Sequence, residues 1–206
     1  MKKLSLIPIL LIGLPFITYA QFVTIGTQVW MTKNLDVSTF RNGDPIPQAK
    51  TDEEWKKAGE NKQPAWCYYN NDPANGAKYG KLYNWHAVND SRGLAPVGYH
   101  IPSDAEWTKL TDFLGGNEVA GTKMKSTDGW KGNGNGTNES GFSGLPGGYR
   151  YFGGTFDDFG DYGYWWSSSE NLTTNAWYRY LNYVNGYVSR YGYSKGRGFS
   201  VRCLRD

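Results

Sequence analysis

One group of potential metal ligands in this sequence is Asp157-Asp158-Phe159-Gly160-Asp161, three carboxylates in a five-residue stretch around a glycine. Carboxylate oxygens suit a hard cation, and the glycine allows the tight curvature a coordinating loop requires. Asp157, Asp158 and Asp161 are therefore expected to offer a calcium site, with further ligands drawn from elsewhere in the chain. The spacing of an EF-hand is absent, and a solvated acidic loop is the favoured reading of the same residues, with the calcium site as the alternative.

Other chemistry is thinly supplied. Cys67 and Cys203 are the only cysteines. In an oxidising compartment they read as a disulfide, whose long closed loop would stabilise by about 5 kcal/mol in the chain-entropy model. Two buried free thiols are the alternative, since spacing in sequence does not fix their separation. His86 and His100 are the only histidines, too few for a histidine-based metal site, and His86 beside Trp85 reads as a satisfied interior residue. Glycines crowd residues 126–163, as in Gly132-Asn133-Gly134-Asn135-Gly136. No Gly-Lys-Ser/Thr follows them, which excludes a phosphate-cradling loop. Carboxylate pairs for glycoside hydrolysis arise by chance among 19 acidic residues, so they point to nothing.

The remaining candidates are aromatic. The runs 176–184 and 187–193 flank Asn185-Gly186, a strong short-range hairpin signal. With a two-residue turn, strand alternation puts Trp177, Arg179, Leu181, Tyr183, Val188 and Arg190 on one face. Tyr178, Tyr180, Asn182, Tyr187, Ser189, Tyr191 and Tyr193 fall on the other. The aliphatic face is expected to be buried, leaving the tyrosines as the more accessible face, with cover by the glycine-rich loops as the alternative. Tyr178, Tyr187 and Tyr191, with Trp165 or Trp166 from the preceding strand, form the candidate ligand-binding surface, because such rings give rigid contact area at low entropic cost.

The elements that must position these groups can be read in order. Residues 22–35 predict a hairpin about Gly26-Thr27. Thr51-Asp52-Glu53-Glu54 is a capping-box pattern that starts a short helix through Ala58, and Gly80–Val88 reads as another. Ser103-Asp104-Ala105-Glu106 is a second capping box. Trp107, Leu110, Phe113 and Leu114 then share one helical face, and Gly115-Gly116 ends the helix. This capping role explains Glu106 without catalysis. The glycine-rich stretch predicts long ordered loops with short strands near 142–145 and 149–152, and Trp165–Ser169 predicts a strand. In the last strand Phe199, Val201 and Cys203 point together. No fixed repeat period is visible.

The ends and the composition narrow the class. Lys2 and Lys3, the apolar run Leu4–Phe16 and Thr18-Tyr19-Ala20 form a signal-peptide pattern with cleavage expected after Ala20. Pro8, Gly13 and Pro15 interrupt that run, which falls short of the roughly 20 residues needed to span a bilayer. Residues 21–206 are then expected to form one exported domain with no membrane span, secreted or retained in the periplasm or cell envelope. The chain has 22 Lys and Arg against 19 Asp and Glu, and two of the lysines lie in the leader. The mature chain is thus near neutral and has no basic run, which disfavours nucleic acid as a partner. With 27 Gly, 16 Tyr, 9 Trp and 9 Phe but only 3 Met, the apolar area comes from rings more than from aliphatic side chains.

Several separated motifs resemble the Fibrobacter succinogenes major paralogous domain: Ile25-Gly26-Thr27-Gln28-Val29-Trp30-Met31, Tyr79-Gly80-Lys81-Leu82-Tyr83-Asn84-Trp85, the run Pro96–Trp107, and Gly198-Phe199-Ser200-Val201-Arg202-Cys203. The likeness spans about residue 23 to 206. That pattern often has a cysteine before Pro96, where this chain has Ala95. More distantly, Pro102–Trp107 is similar to the helix start of formylglycine-generating-enzyme-like domains, and Gly198–Cys203 stands in place of their terminal strand. This likeness implies an α+β, C-type-lectin-like fold: two short helices around a small twisted antiparallel sheet with long glycine-rich loops. It also raises an oxidase reading, in which a cysteine pair near the terminal motif holds copper; only Cys203 is there, and Cys67 completes the pair only if the fold delivers it.

The expected function is a non-catalytic binding module for an envelope or extracellular ligand, glycan or protein. A structural or adhesive envelope protein is the alternative, with the oxidase behind both. The sugar-binding signatures of C-type lectins are absent, and Gln63-Pro64-Ala65 is only a fragment of one.

Overall fold

A computed structural model describes residues 22–206, so the expected leader and its cleavage point at Ala20 lie outside the described residues. The first element is the hairpin that the sequence predicts, β1 (Phe22–Ile25) and β2 (Gln28–Met31), with Ile25 opposite Gln28. Gly26 turns it at a φ of 62°, a left-handed value that a side chain would strain.

Helix α1 (Asp52–Glu60) starts at the Thr51/Glu54 capping box and turns Trp55 fully inward. The expected helix over Gly80–Val88 does not form as one piece. After β3 (Trp66–Cys67) and α2 (Gly76–Tyr79), the chain makes β4 (Leu82–Tyr83), which pairs with β3, and only then α3 (Trp85–Val88). Asn84 forces the break: its Oδ1 accepts from the amides of Ala65 and Ala87, anchoring the strand pair and capping α3.

Past β5 (Tyr99–His100), helix α4 (Asp104–Phe113) begins at the predicted Ser103/Glu106 capping box. It buries Trp107, Leu110 and Leu114, but Phe113 is 63% exposed, contrary to the face assigned to it. Its ring lies instead over the Gly26 turn, where a Cβ would sit 2.9 Å from the Phe113 ring. A short α5 (Ala120–Met124) follows.

The expected strand near 142–145 is absent; β6 (Gly147–Arg150) comes later and pairs with β7 (Phe156–Phe159). Next come β8 (Tyr162–Leu172), β9 (Asn175–Asn182), β10 (Ser189–Ser194) and β11 (Leu204–Arg205). Two main sheets result, ordered β1-β2-β11-β5 and β10-β9-β8-β6-β7. The larger sheet is not wholly antiparallel, because β6 and β8 meet in parallel at Gly148 and Gly163. β7 lies on the far side of β6, so the short link through Gly160 and Asp161 returns β8 along the near side in the direction of β6. The architecture is mixed α and β, mostly sheet with short helices.

The β9–β10 connection also departs from expectation. A two-residue turn would pair Tyr178 with Tyr193, whereas Tyr178 pairs with Tyr191. The loop docks on α5 rather than closing tightly: Gly121 N donates to Gly186 O at 2.8 Å, and the Asn182 side chain accepts from the amides of Val184 and Asn185. Because side chains alternate with period two, a two-residue displacement leaves each face with its predicted residues.

What the faces meet differs from the expectation that only one is covered. Trp165 and Leu181 pack with Trp107, Leu110 and Phe142, while Trp166, Tyr164 and Tyr178 pack on the opposite side with Phe199, Val201 and Cys203. The centre of the sheet is thus sandwiched between two cores. Buried arginines tie loops to these cores. Arg150 donates to the carbonyls of Gly154, Ala49 and Thr51, and Arg202 to Asn34 Oδ1 and the carbonyls of Met31 and Phe142. Burial pulls the Arg202 guanidinium down to about 9.

Candidate functional site

Strand alternation and an edge together build an aromatic surface. Phe199 forms its floor, with ring centroids 5.0 Å from Tyr164, 4.4 Å from Trp166 and 4.8 Å from Tyr178. Above this layer Tyr162 and Tyr180 are half-buried, and Tyr180 stacks on Tyr191 at 6.0 Å and 22°. Tyr178 meets Tyr193 edge-on at 6.4 Å. β10 is the last strand of its sheet, so the outer rings have no neighbour strand over them. Tyr191 and Tyr193 remain 56% and 41% exposed.

This placement corrects the predicted ligand-binding set. Trp165, Trp166 and Tyr178 are buried and cannot touch a ligand on the surface: Trp166 and Tyr178 support it from beneath, while Trp165 packs into the core on the other side of the sheet. Tyr191 stays on the accessible edge, and Tyr187 is exposed in the loop that precedes β10. Tyr193, Tyr180 and Tyr162 complete the surface.

Two charged groups flank the rings. Arg197 is almost buried, with its guanidinium carbon 3.5 Å from the centroid of Tyr193 and 4.9 Å from those of Tyr149 and Tyr151. At the other side Tyr164 donates to Asp158 Oδ2 at 2.5 Å. Burial pushes the Asp158 carboxyl and the Tyr164 phenol above their ordinary values, and the Asp158 charge raises the phenol further. Sequence reasoning missed Arg197; Lys195-Gly196-Arg197, one residue after Tyr191-Gly192-Tyr193, was the available signal.

The expected calcium loop is arranged otherwise. Asp157 Oδ1 accepts from the Asp158 amide, Asp158 turns inward to Tyr164, and Asp161 pairs with Lys131 at 3.1 Å. The three carboxylates take separate partners. Among the described residues no group of three or more His, Cys, Asp or Glu side chains converges as a metal site.

The expected disulfide is not formed either. Cys67 lies in a core patch with Trp55, Tyr69 and Leu82, whereas Cys203 lies with Phe199 and Val201. Burial pushes each thiol up to about 12, which keeps both protonated and unreactive at neutral pH.

A histidine between two carboxylates occurs at the start of α4. His100 Nε2 is 2.9 Å from Glu106, and its Nδ1 is 2.8 Å from Asp206. Ser103 Oγ donates to Glu106 and not to the imidazole, so the array fixes the helix start and primes no hydroxyl.

The model of the Fibrobacter succinogenes major domain matches residues 23–205, nearly all of the described chain. The chain belongs to the Fibrobacter succinogenes major domain family. No curated protein and no solved structure matches it. In this Fibrobacter succinogenes major domain the motifs that carry the likeness are framework: Trp30, Tyr83, Trp107 and Phe199 are fully buried, and Trp85 Nε1 donates to Ser167 O at 2.9 Å. Tyr162, Tyr180, Tyr191 and Tyr193 all lie outside those motifs in the sequence.

Proposed function

We propose that this chain is an exported, non-catalytic binding module with a C-type-lectin-like fold, and that the Tyr180–Tyr191–Tyr193 edge receives a glycan. The carrying observation is the rigidity of those exposed rings: Tyr191 and Tyr193 each rest on a ring that is itself packed on Phe199 or its neighbours. An ordered aromatic edge loses little entropy on binding, and flat rings suit the C–H faces of sugars. The separate, buried thiols favour this reading over copper-based oxidase chemistry.

A glycan array followed by calorimetry on the best hit tests the reading. Tyr191→Ala and Tyr193→Ala are expected to weaken binding at least tenfold each while the fold is kept. Unchanged affinity in both variants, or capture of envelope proteins with no sugar hit, would sink it and favour the adhesive alternative.

A further inference from the structure

Beside the tyrosine edge lies a cleft of about 390 Å³, within the size range of small-molecule sites. The two adjoin: Arg197 sits over both Tyr193 and Tyr151, the Tyr151 ring meets the cleft wall Phe152 at a tilt with centroids 4.3 Å apart, and Ser194 and Lys195, which directly follow Tyr193, line the cleft. The cleft is rich in donors. Lys56 and Lys62 reach it from α1 and the turn after it, His86 from α3, and Lys195 from the segment after β10. Glu60 is the only carboxylate in its lining, and it pairs loosely with Lys56 at 3.8 Å.

The cations differ in how far they are spoken for. Lys195 is nearly buried over the Trp85 ring at 4.6 Å and also contacts Glu170 and the Thr173 carbonyl. Lys62 is exposed, forms no ion pair among those of the described residues, and is held at the left-handed φ of 54°. His86 is half-buried, and its burial together with Lys195 and Lys62 favours the neutral imidazole. With Glu60 on Lys56 and Glu170 on Lys195, the three ammonium groups leave Lys62 in excess, so the cleft carries a net positive charge beside an apolar wall.

We propose that this cleft binds the oxyanion of an acidic sugar, a carboxylate or a sulfate ester, on the glycan whose neighbouring rings rest on Tyr191 and Tyr193; the inference rests on the binding-module reading. Lys62 and Lys56 supply the accessible charge, Lys195 and His86 line the depth, and Phe152 takes the apolar face of the sugar.

Calorimetry with trigalacturonic acid, its methyl ester and a sulfated galactan oligosaccharide tests this. One or both charged sugars are expected to bind at least tenfold more tightly than the neutral ester at low salt. The preference is expected to shrink toward one in Lys56→Gln/Lys62→Gln, two substitutions at exposed positions that spare the core. Tyr191→Ala is expected to weaken charged and neutral ligands alike. Equal binding of acid and ester by the wild type, with Tyr191→Ala still damaging, overturns the acidic-sugar inference and leaves the binding module standing. A charged preference that survives the double substitution overturns the assignment of the cleft. Absence of binding by all three probes, together with an empty glycan array, overturns the module reading itself.

Discussion

Arg197 sits over Tyr193, with its guanidinium carbon 3.5 Å from the ring centroid, and none of the ion pairs among the described residues gives it a carboxylate partner. Its Nε is buried and finds no acceptor. The contrast with Arg150 and Arg179, which reach Asp52 and Asp104, is physical: here aromatic faces take the place of a counter-ion. Arg197→Ala is expected to cost about 2–3 kcal/mol, combining several cation–π contacts of about 0.5–2 kcal/mol each with lost packing. Arg197→Lys should recover only part, since an ammonium cannot stack as a planar group. Urea denaturation measures both, and a loss below about 0.5 kcal/mol in the alanine variant would show that the rings contribute little.

Core and edge aromatics should separate stability from binding. Trp166→Ala, at a fully buried ring packed on Phe199, is expected to cost about 3–5 kcal/mol. Tyr191→Ala, at a ring 56% exposed, should cost about 1 kcal/mol or less. Similar losses in the two variants would mean that the β10 edge is covered in solution.

His100 gives stability a pH dependence of known sign. Its burial opposes the charged form, but the hydrogen bonds it donates to the Asp206 and Glu106 carboxylates, and their charges, outweigh that and raise it above 6.5. The raised value contributes stability that is complete below 6.5 and lost as pH rises through the folded value. His86 acts in the opposite sense, being lowered by burial and by Lys195 and Lys62. The comparison that isolates His100 is therefore wild type against His100→Gln, whose stability difference should be larger at about pH 6 than at about pH 8. The effect should be modest, because the imidazole is 38% exposed and solvent screens its partners. A difference independent of pH would remove the charge from the account.

The two thiols should behave as interior groups. With both pushed up to about 12 by burial, Cys67 and Cys203 are expected to resist a thiol reagent in the folded protein and to react fully in denaturant. Reducing agent should leave Tm unchanged. A mass two hydrogens lighter than the reduced chain, or a lower Tm on reduction, would show that the oxidised form is the stable one.

How much of this was legible in the sequence depended on how local the cause was. Both capping boxes, the Gly26 hairpin and the shared inward direction of Phe199, Val201 and Cys203 follow from neighbours within a few residues, and each appears as read. The split of Gly80–Val88 was hidden because Asn84 bonds to Ala65, 19 residues away in the chain. The β9–β10 register was set by docking on α5, which outweighed the intrinsic turn preference of Asn185-Gly186.

The candidate site shows the same division. Alternation along β8, β9 and β10 assigned each ring its face from the sequence alone, because the period of a strand is a property of its backbone. Which rings stay open was a tertiary decision. Phe199 arrives from the far end of the chain to cover Trp166 and Tyr178, while β10, as the sheet edge, leaves Tyr191 and Tyr193 uncovered. Asp158 turns to Tyr164 and Asp161 to Lys131, and Cys67 and Cys203 pack into different cores, so residue type and spacing alone did not bring either set together. Residue type states what a side chain can do; the packing of distant segments determines whether it is given the chance.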